Sequence, residues 1–264
     1  GTFKPLPASG DPIEFAIVAD THFFHTADAF TERMLELRPD FIVHCGDIVR
    51  SSGIEYEQFK ENYFGPVAEL IRHIPVVYVH GNHDMGQFWD MYFGSQARLL
   101  GSSDNPYWFS FDAGDVHFVV LDGIPFEDEP ERFIESYDEV RGRFDGYVRN
   151  FFATNTPYRE LEWLLEDLSS KRAREAAWRL AFQHYPYTDP EVAEALSAIL
   201  EEHRIEGFFG GHRHLYDRRL LLDSNGLPRM VAVTCGLGQQ AGGSIEHGVR
   251  GSEDSVGAHG SCEY

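Results

Sequence analysis

The sequence predicts an α/β fold in which two mixed sheets pack face to face with helices outside. Three observations lead there. Short apolar runs each end in a polar loop and are followed by a helical stretch, the order found in parallel sheets. Farther along, two alternating segments flank Ala113-Gly114-Asp115, the mark of an antiparallel hairpin. The 264 residues are 42% hydrophobic, enough for one large core.

Residues 1–12, with Pro5, Pro7 and Pro12, read as an extended lead-in. Ile13–Ala19 is a buried strand ending at Asp20. Residues 27–38 suit a helix stopped before Pro39, because the residue ahead of a proline is pushed out of helical geometry. Phe41–Cys45 is a second strand closed by Gly46-Asp47, residues 54–72 a long helix, and Pro75–His80 a third strand closed by Gly81-Asn82. Trp108–Asp112 and Val116–Asp122 make the hairpin. Residues 158–171 and 189–203 are helices on either side of a strand at Trp178–Gln183. Gly207–Gly210, Tyr216–Leu222 and Arg229–Val233 are short strands, the last two joined by a turn at Asp223–Gly226.

Two segments stand apart. Residues 123–157 are acidic and aromatic, with Phe126, Phe133, Tyr137, Phe144, Tyr147, Phe151 and Phe152. Residues 236–264 are rich in glycine and small polar residues. The reading is one domain over 1–264, with an insert or lid at about 123–157 and a Gly-rich tail at about 236–264.

A net charge of −21 argues against duplex nucleic acid, whose affinity comes from Lys and Arg neutralising phosphates. No run of about 18 apolar residues is present, so no membrane span is expected. Cys45, Cys235 and Cys262 have no CxxC spacing. Cys45 reads as a small buried hydrophobe, while Cys235 and Cys262 could pair in an oxidising compartment. The first residue is Gly1 rather than Met, which suggests a processed or trimmed start, and no compartment follows from it.

Chemistry concentrates where predicted strands end. Five clusters occur there in order: Asp20-Thr21-His22, Gly46-Asp47-Ile48-Val49-Arg50, Gly81-Asn82-His83-Asp84, Gln183-His184-Tyr185-Pro186 and Gly211-His212-Arg213-His214. Ligands in open α/β sheets bind at the carboxyl ends of strands, which hold side chains rigidly yet leave them exposed. Carboxylate, imidazole and carboxamide together suit Mn, Fe or Zn better than Mg or Ca. Each cluster alone has a plain structural reading; the ordered set carries the argument. His44, His80 and His117 fall within strands and read as core or supporting residues, and His25 as a loop residue.

The ordered set resembles the calcineurin-like metallophosphoesterases, whose pattern runs D-x-H, GD, GNH-D/E, H, GHxH. All five blocks match, over residues 20–214. Tyr107–Asp112, His117–Asp122 and Leu161-Glu162-Trp163-Leu164 resemble that family's second-sheet hairpin and the helix after it. The resemblance implies a four-layer α/β/β/α sandwich holding two divalent or trivalent transition-metal ions. Asp20, His22 and His214 would hold the first, Asn82, His184 and His212 the second, and Asp47 would bridge both. His83 would protonate the leaving oxygen with Asp84 orienting it, and Arg50 could reach a phosphate oxygen. A metal-bridging hydroxide would attack in line. The implied enzyme is a phosphoric ester hydrolase acting on a small-molecule or nucleotide phosphate ester, a monoester or a diester. The aromatics of the insert would then stack on a ring of the substrate or form a small core of their own. The alternative is a catalytically silent scaffold of the same fold that binds protein. Some purple acid phosphatases carry a metal-bound tyrosine shortly after the GD block. This chain has Val49-Arg50 there, and Tyr56 lies too far along, so no tyrosinate-ligated iron is expected.

Overall fold

The computed structural model describes residues 5–22, 27–50, 56–100, 103–127, 141–223 and 225–236. Strands β1 (Phe15–Val18), β2 (Phe41–Cys45) and β3 (Val76–Val79) form a parallel sheet in that order. Helix α1 (Ala27–Leu37) makes the crossover from β1 to β2. The second sheet has six strands. In chain order they are β4 (Phe109–Ala113), β5 (Val116–Val120), β6 (Trp178–Phe182), β7 (Gly207–Gly210), β8 (Tyr216–Leu222) and β9 (Pro228–Cys235). Their spatial order is β4-β5-β6-β7-β9-β8. The four inner strands are parallel and the two edge strands antiparallel, so this sheet is mixed while the first is wholly parallel.

Alternation along the strands builds the layers. Phe41, Val43 and Cys45 of β2 meet Phe109, Phe111, Val116, Phe118 and Phe182 between the sheets. The opposite face of β2 carries Ile42, packed with Met34, Phe59 and Leu70 on the helical side. Aromatic rings dominate the inter-sheet layer. Phe118 has ring centroids 4.8 Å from Phe111, 5.3 Å from Phe41, 5.4 Å from Phe15 and 5.9 Å from Phe182.

Helices cover the outside of the second sheet. In the helix at Pro157–Leu168, Thr156 caps the first turn and Pro157 presets its geometry. Glu160, Leu164 and Leu168 recur every fourth residue and are buried. The helix at Pro190–Glu202 buries Val192, Leu196 and Leu200 at the same spacing. Each such buried aliphatic side chain stabilises the fold by roughly 1.5–3 kcal/mol. The hairpin turn pairs Ala113 with Val116. Gly114, at φ +57, takes the first central position, where a type II′ turn requires glycine.

Three expectations change. Residues 54–72 are not one helix: Tyr56–Phe59 is helical, Lys60–Phe64 widens into a π-type turn, and Leu70–Arg72 is a 3-10 turn. Pro66 contributes to the break, since it lacks the N–H that would continue the helical hydrogen bonds, whereas Gly65 itself keeps helical geometry and donates to the Lys60 carbonyl. Short helices at Gln87–Phe93 and Gln96–Leu100 follow the third strand, where none was expected. Within the insert, Arg141–Thr154 is a helix whose Val148 and Phe151 are buried in the core. Phe133 and Tyr137, His25, and the tail beyond residue 236 with Cys262 lie outside the described residues.

Candidate metal centre

The carboxyl ends of β1, β2 and β3 meet those of β6, β7 and β9 at one end of the sandwich. Asp20 and His22 follow β1, Asp47 follows β2, Asn82 follows β3, His184 follows β6, and His212 and His214 follow β7. Two donor groups result: Asp20, His22, Asp47 and His214, and Asp47, His184 and His212, each with ligand atoms within 4.8 Å of one another. Asp47 belongs to both. Its Oδ2 lies 3.6 Å from His22 Nε2, and its Oδ1 lies 3.3 Å from His184 Nε2. Asn82 Oδ1 completes the second group, 3.0 Å from His184 Nε2 and 3.1 Å from His212 Nδ1.

The local backbone is built for this convergence. Seven described residues other than glycine have positive φ, and five of them are Asp20, His22, Asp47, His212 and His214. Left-handed geometry costs roughly 1–2 kcal/mol for such residues and persists only where the surroundings enforce it. Gly46 allows the approach of the two sheets. It sits at φ +81, and a Cβ there would stand 2.7 Å from His184 Nδ1 and 2.9 Å from Gly81 Cα.

Hydrogen bonds fix which ring nitrogens face inward. His22 Nδ1 lies 3.2 Å from the Val49 carbonyl and His184 Nδ1 lies 2.8 Å from the Cys45 carbonyl, so each donates its Nδ1–H outward. The Nε2 lone pairs then point at other acceptors. His22 Nε2 is 3.2 Å from His214 Nε2, and His214 Nε2 is 3.4 Å from Asp20 Oδ1. A nest of acceptors is stable only around positive charge. Two donors each about 2.1 Å from a shared ion stand roughly 3–3.5 Å apart, so the residues present fit metal ions.

Electrostatics agree. Burial would push the Asp47 carboxyl up, but the charges of His184 and His83 outweigh it and hold the group well below the usual carboxylate range. Burial pushes the His184 imidazole down, yet the Asp47 carboxylate overrides it and raises the ring to about 10. That carboxylate demands a cation on the Nε2 side of His184. Burial lowers His22 to about 4 and His212 to about 3, keeping both neutral, the form that binds a metal.

Asn82–Asp84 is a single 3-10 turn, so successive side chains diverge by about a third of a turn. Asn82 points to the donors. His83 sits at the rim with 28% of its side chain exposed, Nε2 3.9 Å from Asp47 Oδ2, and Nδ1 against the Arg50 carbonyl. Asp84 points into the protein and accepts the N–H groups of Ile48 (2.9 Å), Val49 (3.2 Å) and Gly81 (3.1 Å). The expectation that Asp84 orients the His83 ring is therefore corrected: Asp84 ties two loops together, and a backbone carbonyl meets the ring. Arg50 is exposed, on the loop that supplies that carbonyl.

Sequence reasoning missed the carbonyls of Cys45 and Val49, because every residue has one and no side-chain pattern marks them. It also gave His44 no partner. His44 Nε2 donates to Thr21 Oγ1 (3.0 Å), which donates to the Ile48 carbonyl (3.1 Å), bracing the residue between two donors. Tyr56 packs against Phe88 and Tyr92 at centroid distances of 6.1 and 6.4 Å.

The profile of the calcineurin-like phosphoesterase family matches residues 13–216, which include every donor. The chain is 27% identical over 177 residues to an acid phosphatase of Aspergillus ficuum, covering 58% of this chain and 29% of that protein. It is 24% identical over 282 residues to purple acid phosphatase 23 of Arabidopsis thaliana, covering 92% of this chain and 55% of that protein. The chain thus spans little more than half, or less, of the length of these relatives. Among solved structures, a purple acid phosphatase from yellow lupin (Lupinus luteus) seeds has a TM-score of 0.59 at 16% identity, over 89% of this chain and 46% of that one. A dimetal phosphatase of Danio rerio has a TM-score of 0.52 at 20% identity, over 86% and 88%. At these identities the likeness to solved structures speaks for the fold. The profile spans both donor groups and the strands that carry them, and on that ground the chain belongs to the calcineurin-like phosphoesterase family.

Proposed function

We propose that this chain hydrolyses phosphate esters at a centre of two transition-metal ions. The observation that carries the proposal is Asp47, whose two carboxylate oxygens face different donor groups. Asp20, His22 and His214 would hold one ion, and Asn82, His184 and His212 the other, with Asp47 shared. The mixed nitrogen and oxygen donors favour Mn, Fe or Zn. Two such cations offset phosphate charge and acidify water.

The chain's own groups do the rest. His83, at the rim, gives a proton from Nε2 to the leaving oxygen while its Nδ1 stays tied to the Arg50 carbonyl. Arg50 offers a guanidinium fork to a phosphate oxygen. Asp84 locks the loop of Asp47 to the turn of Asn82, so both donors keep their places. The substrate is a small-molecule or nucleotide phosphate ester rather than a duplex, which a net charge of −21 repels. Val49-Arg50 after the GD block and the packing of Tyr56 against Phe88 favour a centre without tyrosinate.

The test is metal content and turnover together. Protein reconstituted with Mn²⁺ in chelator-free buffer should hold about two ions per chain and hydrolyse an aryl phosphate or a bis-aryl phosphate. A stoichiometry near zero, or no hydrolysis with Mn²⁺, Fe²⁺, Zn²⁺ or Mg²⁺, overturns the proposal.

A further inference from the structure

We propose that Asp189 and Arg213 are positioning residues, whose ion pair clamps the loop after β6 to the loop after β7 and so sets the spacing of the two metal sites. The clamp rests on the two-metal reading, in which His212 holds one ion and His214 the other. Arg213 is the residue between them. Both histidines are left-handed, at φ 68 and φ 49, a conformation that the surroundings must enforce. The Arg213 guanidinium reaches Asp189, whose Oδ1 accepts from Nε at 2.9 Å and also from Nη2.

Asp189 is held ready for this contact. It is buried and takes the N-cap position of the helix at Pro190–Glu202. An aspartate there ordinarily accepts the N–H of the second or third helical residue. Asp189 makes no such side-chain bond. Its backbone is fixed on both sides: the N–H donates to the Pro186 carbonyl at 3.0 Å, and the carbonyl accepts from Ala193 N–H at 2.9 Å. The carboxylate is thus left for Arg213. An exposed ion pair contributes little, but here the carboxylate side chain keeps only 4% of its surface in water.

Two further contacts zip the same loops. Gly211 N–H donates to the His184 carbonyl at 2.7 Å, and the ring centroids of Tyr185 and His212 lie 4.4 Å apart. Neither involves a residue beyond His212; the ion pair carries the clamp to the His214 side. The placement of the loop is also felt across the centre, since His212 N–H lies 3.1 and 3.0 Å from the two carboxylate oxygens of Asp20.

Asp189→Ser and Arg213→Met separate positioning from plain support of the fold. Serine caps helices about as well as aspartate, so Asp189→Ser can cap the helix while releasing Arg213. Mn²⁺ binding to metal-free protein is measured by calorimetric titration, beside the urea midpoint without metal. Both Mn²⁺ dissociation constants should rise about tenfold in each variant, the lower end of what losing a ligand's supporting partner costs. The double variant should bind no more weakly than either single one, because the two residues act as a unit. A lower urea midpoint with both constants within roughly twofold of the wild type overturns the proposal. So does a rise at one ion alone, or losses that multiply in the double variant. If the wild type binds no Mn²⁺, that failure belongs to the two-metal reading, and the clamp is read by hydrogen exchange of the metal-free protein. The Gly211 and His212 amides should then exchange about tenfold faster in both single variants, and unchanged exchange overturns the clamp.

Discussion

Raising the pH from 6 to 9 should weaken this fold through one histidine far from the metal centre. His117 lies on β5 with its ring fully buried. Nδ1 is 2.7 Å from Asp112 Oδ1 and Nε2 is 2.8 Å from Asp167 Oδ2. Both ring nitrogens face carboxylates, and only the imidazolium can donate to both. Burial pulls the ring down, but hydrogen bonds to Asp112 and Asp167 outweigh it and raise the group from 6.5 to about 8. A raised pKa in the folded state means that the stabilisation is complete below 6.5 and is lost as pH climbs through 8. About 1.5 units at 1.36 kcal/mol each gives roughly 2 kcal/mol. Asp112 keeps 35% of its side chain in water, which screens its share, so about 1–2 kcal/mol is expected. The assay is urea denaturation of the wild type and His117→Gln at pH 6, 7, 8 and 9. The metal centre is common to both proteins and cancels in the difference. The wild-type advantage should shrink by that amount between pH 6 and 9. A flat difference, or one that grows with pH, shows the ring to be neutral in the folded state and refutes the reasoning.

Asp47→Asn should strip metal from both sites, whereas His83→Ala should keep both ions and lose turnover on the order of 10²–10⁴-fold; elemental analysis beside a turnover assay separates the two, and metal loss in His83→Ala would show that His83 is a ligand. Phe118→Ala should cost about 3–5 kcal/mol in urea denaturation, because four aromatic rings surround a side chain that is 0% exposed; a loss below about 1 kcal/mol would mean that the inter-sheet layer collapses to fill the gap. Replacing residues 128–140 with a short Gly/Ser linker should leave turnover of a small aryl phosphate within about tenfold and alter selectivity among larger esters. Loss of small-substrate turnover with both metals retained would place a catalytic group in that segment.

The parts of the fold that were legible in the sequence are those in which local chemistry and tertiary position coincide. Phe41–Cys45 is largely apolar because both its faces are buried, and Gly46 follows it because a Cβ there would collide with His184 and Gly81. The donors were legible because carboxylates and imidazoles at strand ends are conspicuous against apolar runs. What failed depended on distant partners. The stretch at 54–72 has the apolar spacing of a helix, but Gly65-Pro66 overrides it. In the helix at Arg141–Thr154, Val148 and Phe151 are buried within a charged segment, so no clean periodicity shows. Asp84 sits beside His83 in sequence, and adjacency suggested a pair; the tight turn sends the two side chains apart.

The left-handed residues of the centre restrict which replacements this protein can accept. Among residues other than glycine, that backbone conformation is most comfortable for Asn, Asp and His. Two of these three side chains are the ones already found at Asp20, His22, Asp47, His212 and His214. Coordination and conformation therefore select from the same short alphabet. Asparagine can replace a donor there without disturbing the chain path, so Asp20→Asn or His212→Asn exchanges a carboxylate or imidazole for a weaker, neutral oxygen donor while the loop keeps its shape. Valine or isoleucine at the same positions would remove the ligand and unseat the loop together. A metal-deficient but folded form of this protein is thus within reach of single substitutions, provided that they are drawn from residues that tolerate positive φ.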